Sequence, residues 1–235
     1  MRTNAESIAV TTALLVLASL QVRGEGSFAS RAVYLGLNAS ILSPDRILRL
    51  SVVEAESSKD EGFPATLRVQ VGSDVLEQRF NFGLNAQVLW SPQRNRFALT
   101  GSNGGAVGQY ETAIVTVRQN AIDWVDVTPS IERAFGHPVT CAYREPPDVG
   151  AVSWVSESRL LVAAQIMPHS VCDSMGTFVL YRFALSSKRI ELRYGQLEAK
   201  KAWRTLLGPS LLAAPDDCVR RPRACFVPFN HQRRR

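Results

Sequence analysis

Several motifs that would assign a chemistry are missing from this sequence of 235 residues. There is no Gly-x-Ser-x-Gly, no His-Glu-x-x-His and no phosphate-binding loop, which argues against an α/β-type serine hydrolase, a zincin protease and a P-loop enzyme. Lysine is also scarce, since only four of the 27 basic residues are lysines. The missing catalytic motifs favour a protein that is not an enzyme, and no residue is predicted to be catalytic.

Positive charge is concentrated at the C-terminus rather than spread over the chain. The formal net charge is +6. The tail alone contains enough arginines to account for it: Arg220, Arg221, Arg223, Arg233, Arg234 and Arg235. Nucleic-acid binding requires a stripe of basic residues along one helix or strand that can contact the nucleic acid. No such stripe is evident, so we expect no nucleic-acid partner. An alternative function is an envelope protein whose basic tail docks on an anionic membrane surface.

A long apolar run occurs once, at residues 8–20, directly after a short segment that contains Arg2. The run is shorter than the roughly 20 residues that span a bilayer. Residues 1–26 are therefore predicted to be a secretory signal peptide, with a retained N-terminal anchor or an ordinary helix as alternatives. The expected localisation is extracytoplasmic, either periplasmic or secreted.

Cysteine is absent from the first half of the chain. The four cysteines are Cys141, Cys172, Cys218 and Cys225. An even number in an exported chain indicates two disulfides, and four cysteines allow three pairings. Because Cys218 with Cys225 would close a short loop and stiffen the tail, Cys141 with Cys172 is the predicted second bridge.

Residues 86–194 contain two similar passes of four strand-like segments. The first pass reads AQVLW, RFALT, ETAIVTVR and AIDWVDV, and the second reads AVSW, RLLVAA, TFVLYRFAL and RIELRY. Apolar stretches of this length, rich in Val, Ile, Leu and aromatic residues and cut by short polar turns, are typical of strands. The short turns predict that each pass forms an antiparallel meander.

The stretches WSP at 90–92 and RFAL at 96–99 are echoed by SW at 153–154 and RLLV at 159–162. This pattern resembles blades of TolB-type and WD40-like β-propellers, in which a tryptophan closes the first strand and an Arg or Lys opens the next. The resemblance covers residues 86–194. It implies an all-β fold of antiparallel four-stranded meander units that form part of a propeller; a β-sandwich is the alternative.

The flanking regions are predicted to add strands and two short helices. Residues 27–85 form an N-terminal β segment with about three strands, ILRLSVVEA, ATLRVQVG and VLEQRFNFG, as a third blade or one sheet of a sandwich. One helix is expected from Pro129 to Phe135 behind a Thr128 cap, and another from Gln196 to Leu207. The second opens a C-terminal region, 195–235, that ends in the disulfide-closed basic tail. Its apolar stripe, which consists of Leu197, Trp203, Leu206 and Leu207, is expected to pack on a sheet.

The direction of the strands predicts where the loops meet. In a four-stranded meander, the loop between the second and third strands lies at the same end as the connection to the next unit. Residues 101–111, 128–150 and 165–176 should therefore share one end, called here the loop-rich end. The predicted function is binding of a protein or cell-envelope component by this end, braced by the bridge from Cys141 to Cys172. The candidate binding residues are Tyr110, Glu111, His137, Tyr143, Arg144, His169 and Asp173.

The same residues allow an alternative in which the protein is a hydrolase or a zinc metalloprotein. His137, Cys141, His169 and Cys172 are the ligand types of a tetrahedral zinc site. A nucleophile version would use Cys172 or Ser174, with a nearby histidine as base and Asp173 to orient it. An oxidising compartment favours the disulfide over these alternatives, so neither a metal nor a cofactor is assigned.

Overall fold

The computed structural model describes residues 27–55, 64–81, 85–102, 109–136, 145–168, 170, 172 and 174–216. These residues form antiparallel sheets of four or five strands and three short helices. The predicted all-β fold of antiparallel meander units with short helices is confirmed.

The first sheet has the strand order β2-β3-β4-β5. Its strands are β2 (Ser40–Leu42), β3 (Leu48–Glu54), β4 (Ala65–Val71) and β5 (Asp74–Phe80). Buried and exposed residues alternate along β3 and β4, as expected for strands with one face on a core and one in water. The predicted N-terminal strands therefore belong to one meander.

The second sheet has the order β1-β6-β7-β8-β9. It contains β1 (Val33–Gly36), β6 (Asn85–Trp90), β7 (Arg96–Ser102), β8 (Tyr110–Val117) and β9 (Ile122–Asp126). The four strands β6 to β9 match the first predicted pass. The short strand β1 was not predicted; it pairs antiparallel with β6, with Val33 opposite Val88. The N-terminal β segment is thus divided between two sheets.

The third sheet, with the order β10-β11-β12-β13, matches the second predicted pass. It contains β10 (Asp148–Ser156), β11 (Arg159–Gln165), β12 (Phe178–Ala184) and β13 (Arg189–Gly195). Strands β11 and β12 are buried along almost their whole length. That burial means both faces of this sheet are covered.

Two features of the helices correct the sequence predictions. Helix α1 spans Thr128–Phe135, but its N-cap residue is Val127 and not Thr128. The hydroxyl of Thr128 instead accepts a hydrogen bond from the backbone N–H of Thr112, 2.8 Å away. This bond links α1 to β8 and does not cap the helix.

Helix α2 spans Gln196–Trp203 and ends before the predicted Leu207, because Leu207 forms an antiparallel bridge with Ala29. A third helix, α3 (Pro209–Leu212), follows. Leu207 is buried, as expected of the predicted stripe, but Leu197 is 59% exposed and does not pack on the sheet. The stripe is therefore shorter than predicted.

The sheets pack face to face with two cores between them. Leu50 and Leu67 of the first sheet pack with Val88 and Leu99 of the second. On its other face the second sheet presents Ala98 and Ile114 to Leu160 and Val162 of the third, among other residues. Burial of a side chain of this size stabilises the fold by about 1.5–3 kcal/mol.

The two outer faces of this three-sheet stack are closed in different ways. On the third sheet, α2, α3 and Phe28 cover a core that includes Leu161 and Leu180. On the first sheet the outer face carries charged side chains, such as the exposed ion pair between Arg68 and Glu77 at 2.7 Å. A charged outer face needs no further layer to cover it.

Candidate functional site

The described parts of the three predicted loop segments meet at one end of the molecule. Gln109 donates from Nε2 to Oε1 of Glu132 at 2.9 Å, which joins the start of β8 to α1. Phe135, at the end of α1, packs against Ile166 and Cys172. The loop-rich end is therefore built from all three segments, as the direction of the strands predicted.

A network of buried threonines forms the base of this end. The hydroxyls of Thr100 and Thr112 are 2.9 Å apart, and Thr112 donates to the carbonyl of Val149 at 2.7 Å. Thr100 in turn accepts from the backbone N–H of Ala151 at 3.0 Å. Thr100 and Thr112 are at most 1% exposed. Because these bonds cross from the second sheet to the third, they fix the relative position of the two loop bases.

Tyr110, a predicted binding residue, is part of the packing at this end. Its ring meets Phe28 edge to face, with 5.3 Å between the ring centroids. Burial raises the pKa of the Tyr110 hydroxyl, with smaller contributions from Asp148 and Tyr34. The ring thus anchors the base of the loop-rich end, and only part of it faces outwards.

Glu111, the next predicted residue, lies among other carboxylates. Burial is the main cause that raises the pKa of Glu111, and the negative charges of Asp126 and Glu132 raise it further. Burial also raises the pKa of Asp126, against the lowering effect of its hydrogen bonds with Thr128. The base of the loop-rich end is therefore acidic.

Asp148 was not predicted, yet it is the most perturbed carboxyl among the described residues. It is 4% exposed, and burial raises its pKa to about 7. The backbone N–H of Tyr110 donates to its Oδ1 at 3.0 Å and opposes this rise. Asp148 lies within the segment EPPDVG, whose Pro-Pro pair is typical of a turn or loop and does not indicate that this carboxyl is buried.

Cys172 is 2% exposed and is disulfide-bonded. The other cysteines, Cys141, Cys218 and Cys225, lie outside the described residues, so the pairing remains a prediction. An oxidised sulfur is neither a thiolate ligand nor a nucleophile. Ser174, the other nucleophile considered, is 2% exposed, which also argues against attack on a substrate from solvent.

The remaining predicted site residues are outside the part of the chain that the structure describes. They are His137, Tyr143, Arg144, His169 and Asp173. Within the described part, no group of three or more His, Cys, Asp or Glu side chains is arranged to hold a metal ion. No helix formed by the described residues has the length and apolar character needed to cross a membrane.

A groove that the sequence analysis missed lies at the opposite end, between the first and second sheets. Its volume is about 330 Å³, and it is lined by Pro44, Asp45, Trp90, Ser91, Pro92 and Arg94. In the sequence, Trp90, Ser91 and Pro92 mark only the repeated strand pattern. The exposed turn that follows this tryptophan is the feature of the sequence that could have indicated a surface here.

No protein-family model matches the chain, and the curated proteins give no match. A solved structure entitled AtxE2 isopeptidase, in its apo form, is similar with a TM-score of 0.43 and 12% sequence identity. The similarity covers 72% of this chain and 30% of that one. The chain thus spans less than a third of the length of that protein.

Proposed function

We propose that the chain is an exported, non-enzymatic module, related to β-propellers, that binds a protein or a cell-envelope component through its loop-rich end. The observation that carries this proposal is the shared anchoring of the loop segments. The starts of β8 and β10 are joined by the hydrogen bond between Tyr110 and Asp148, and α1 packs on Cys172 through Phe135. Loops held by a rigid scaffold form a recognition surface at a low entropic cost on binding.

The disulfide of Cys172 supports both export and rigidity. Disulfides persist in oxidising compartments, which agrees with the proposed signal peptide at residues 1–26. If the bond joins Cys141 to Cys172, it ties two of the loop segments together and stabilises the fold by roughly 2–4 kcal/mol. The zinc and membrane-surface alternatives depend on residues outside the described ranges, and no described contact favours either of them.

Site-directed photo-crosslinking tests the proposal. A photoreactive amino acid is placed at Met175, which is 48% exposed and lies in the third loop segment. The matched control places it at Val75, which is 55% exposed on β5 of the first sheet. We expect one defined partner from the cell envelope to be crosslinked at Met175 and not at Val75.

Reduction of the disulfide provides the second arm of the test. The crosslinked partner is purified, and its affinity is measured with and without reductant while circular dichroism monitors the strands. We expect affinity to fall before the strand signal changes. Equal crosslinking at both positions, or an affinity that does not change on reduction, would contradict the proposal.

A further inference from the structure

We propose that the groove between the first and second sheets binds a neutral saccharide. It lies at the turn end of these sheets, formed by residues 43–47 between β2 and β3 and residues 91–95 between β6 and β7. Its volume of about 330 Å³ is within the range of small-molecule sites. The proposal is independent of the loop-rich end, because the second sheet reaches that end through the opposite end of β7.

Asp45 is held in the wall of this groove by its own turn. The hydroxyl of Ser43 donates to Asp45 Oδ1 at 2.6 Å, and the backbone N–H of Ile47 donates to the same oxygen at 3.2 Å. Ser43 is buried, and its Oγ accepts from the N–H of Leu48 at 2.9 Å. The hydrogen bond from Ser43, followed by that from Ile47, lowers the pKa of Asp45. The carboxylate is therefore ionised at neutral pH and fixed in orientation.

The second oxygen of this carboxylate has an ion pair with Arg94 but accepts no hydrogen bond. Among the described residues, no donor reaches the buried Oδ2 atom of Asp45. Nε of Arg94 is 3.9 Å away, which is too far for a hydrogen bond. An acceptor without a donor is unfavourable, and a ligand hydroxyl would supply the missing hydrogen bond. Since the Arg94 side chain is 79% exposed, it can move to admit the ligand.

The charges of the groove decide the class of ligand. Asp45 and Arg94 carry opposite charges within one small site, so a cation would meet Arg94 and an anion would meet Asp45. A neutral ligand with hydroxyl groups can donate to the carboxylate and accept from the guanidinium. Sugar rings are neutral, rich in such groups and apolar on their C–H faces.

The remaining walls provide the apolar surface that a sugar ring needs. Trp90 lines the groove together with Pro44 and Pro92. The Trp90 ring is held in place by an edge-to-face contact with Phe97, at 5.3 Å between the centroids. An aromatic wall with a fixed carboxylate and a mobile arginine matches the requirements for saccharide binding.

Calorimetric titration of the full chain with maltose, cellobiose and N,N′-diacetylchitobiose tests the proposal. We expect saturable, millimolar binding of at least one of them. Arg94→Ala and Asp45→Asn should each weaken it about tenfold, which is the loss of one hydrogen bond to a charged group. The control is Arg118→Ala, because Arg118 is 70% exposed, pairs with Asp123 and does not line the groove. Its affinity should equal that of the unchanged protein.

Three outcomes would overturn the proposal. The first is the absence of saturable binding with all three disaccharides. The second is binding that Arg94→Ala and Asp45→Asn leave unchanged. The third is binding of a cationic peptide or a free amino acid at this groove, lost in Asp45→Asn, in place of the sugars. Circular dichroism of each variant shows whether it is folded, and Arg94→Ala alters an exposed side chain that the fold does not need.

Discussion

Trp154 donates its indole N–H to the backbone carbonyl of Leu89 at 3.0 Å, and this bond joins the third sheet to the second. The tryptophan that ends the repeated strand motif therefore has a defined structural role between neighbouring sheets. A second link at the same end runs from Arg96, which donates to the carbonyl of Glu157 at 2.8 Å. Both residues belong to the repeated pattern seen in the sequence.

Replacement of Trp154 by Phe should lower the free energy of unfolding by about 1–2 kcal/mol, because the carbonyl of Leu89 loses its donor. The matched control is Trp203→Phe. The indole N–H of Trp203 is buried and has no hydrogen-bond partner among the described residues, so the same substitution removes an unsatisfied donor and should cost less stability. Urea unfolding of both variants measures the difference. Equal losses in the two variants would show that the bond to Leu89 contributes nothing.

Gly150→Ala should lower the free energy of unfolding by about 3 kcal/mol or more, because the new methyl group has no room. A Cβ at this position would lie 2.0 Å from the ring of Phe28, which is 1% exposed. Gly195→Ala is the control, since nothing lies within 4 Å of a Cβ there. Thermal unfolding compares the two. If they lose equal stability, Phe28 does not pack on β10 as described.

Thr112→Val should lower the free energy of unfolding by about 1–3 kcal/mol. The substitution keeps the volume but removes the hydroxyl that bonds to Thr100 and to the carbonyl of Val149. Thr66→Val is the control, because Thr66 lies on the outer, partly exposed face of β4. In chemical denaturation, Thr112→Val should unfold at a clearly lower denaturant concentration than Thr66→Val. Overlapping unfolding curves would contradict the role of the threonine network.

Asp148→Asn should change stability in a way that depends on pH. Burial raises the pKa of Asp148 from 3.8 to about 7, so the fold favours the neutral carboxyl. Its stabilising contribution is fully present below the pKa of the unfolded chain and is lost as the pH rises through about 7. The free energy of unfolding of the variant should therefore rise relative to that of the natural protein between about pH 3 and pH 8, by an amount on the order of 4 kcal/mol.

Melting temperatures of Asp148→Asn and the natural protein across this range measure the effect. The control is Asp74→Asn, an exposed carboxyl at the start of β5. A difference for Asp148→Asn that does not vary with pH would mean that Asp148 is not buried as a neutral group.

The strands could be predicted from the sequence because their apolar residues recur over five to nine positions with clear turns between them. Strands β1 and β2 could not, since VYLG and SIL are too short to show a period. β1 also depends on pairing with β6, some fifty residues away, which no local pattern encodes. Tertiary contacts of this kind override local preference.

The location of the loop-rich end followed from the alternation of strand direction, but its chemistry did not. Asp148 looked like one more polar residue in a turn, and only the packing of β10 against the second sheet buries it. Asp45 is a similar case, because a turn of the first sheet positions its carboxylate and the arginine that it meets belongs to the second sheet. Sequence reasoning finds such sites only after the sheets are placed together.

Disulfide mapping of the protein isolated from cells tests the central claim most directly, which is that the loop segments of an exported chain are braced at one end. Proteolysis under non-reducing conditions, followed by mass spectrometry, identifies the linked peptides. The account predicts one peptide pair that joins Cys141 to Cys172 and another that joins Cys218 to Cys225. A link from Cys172 to either tail cysteine, or four free thiols, would contradict it.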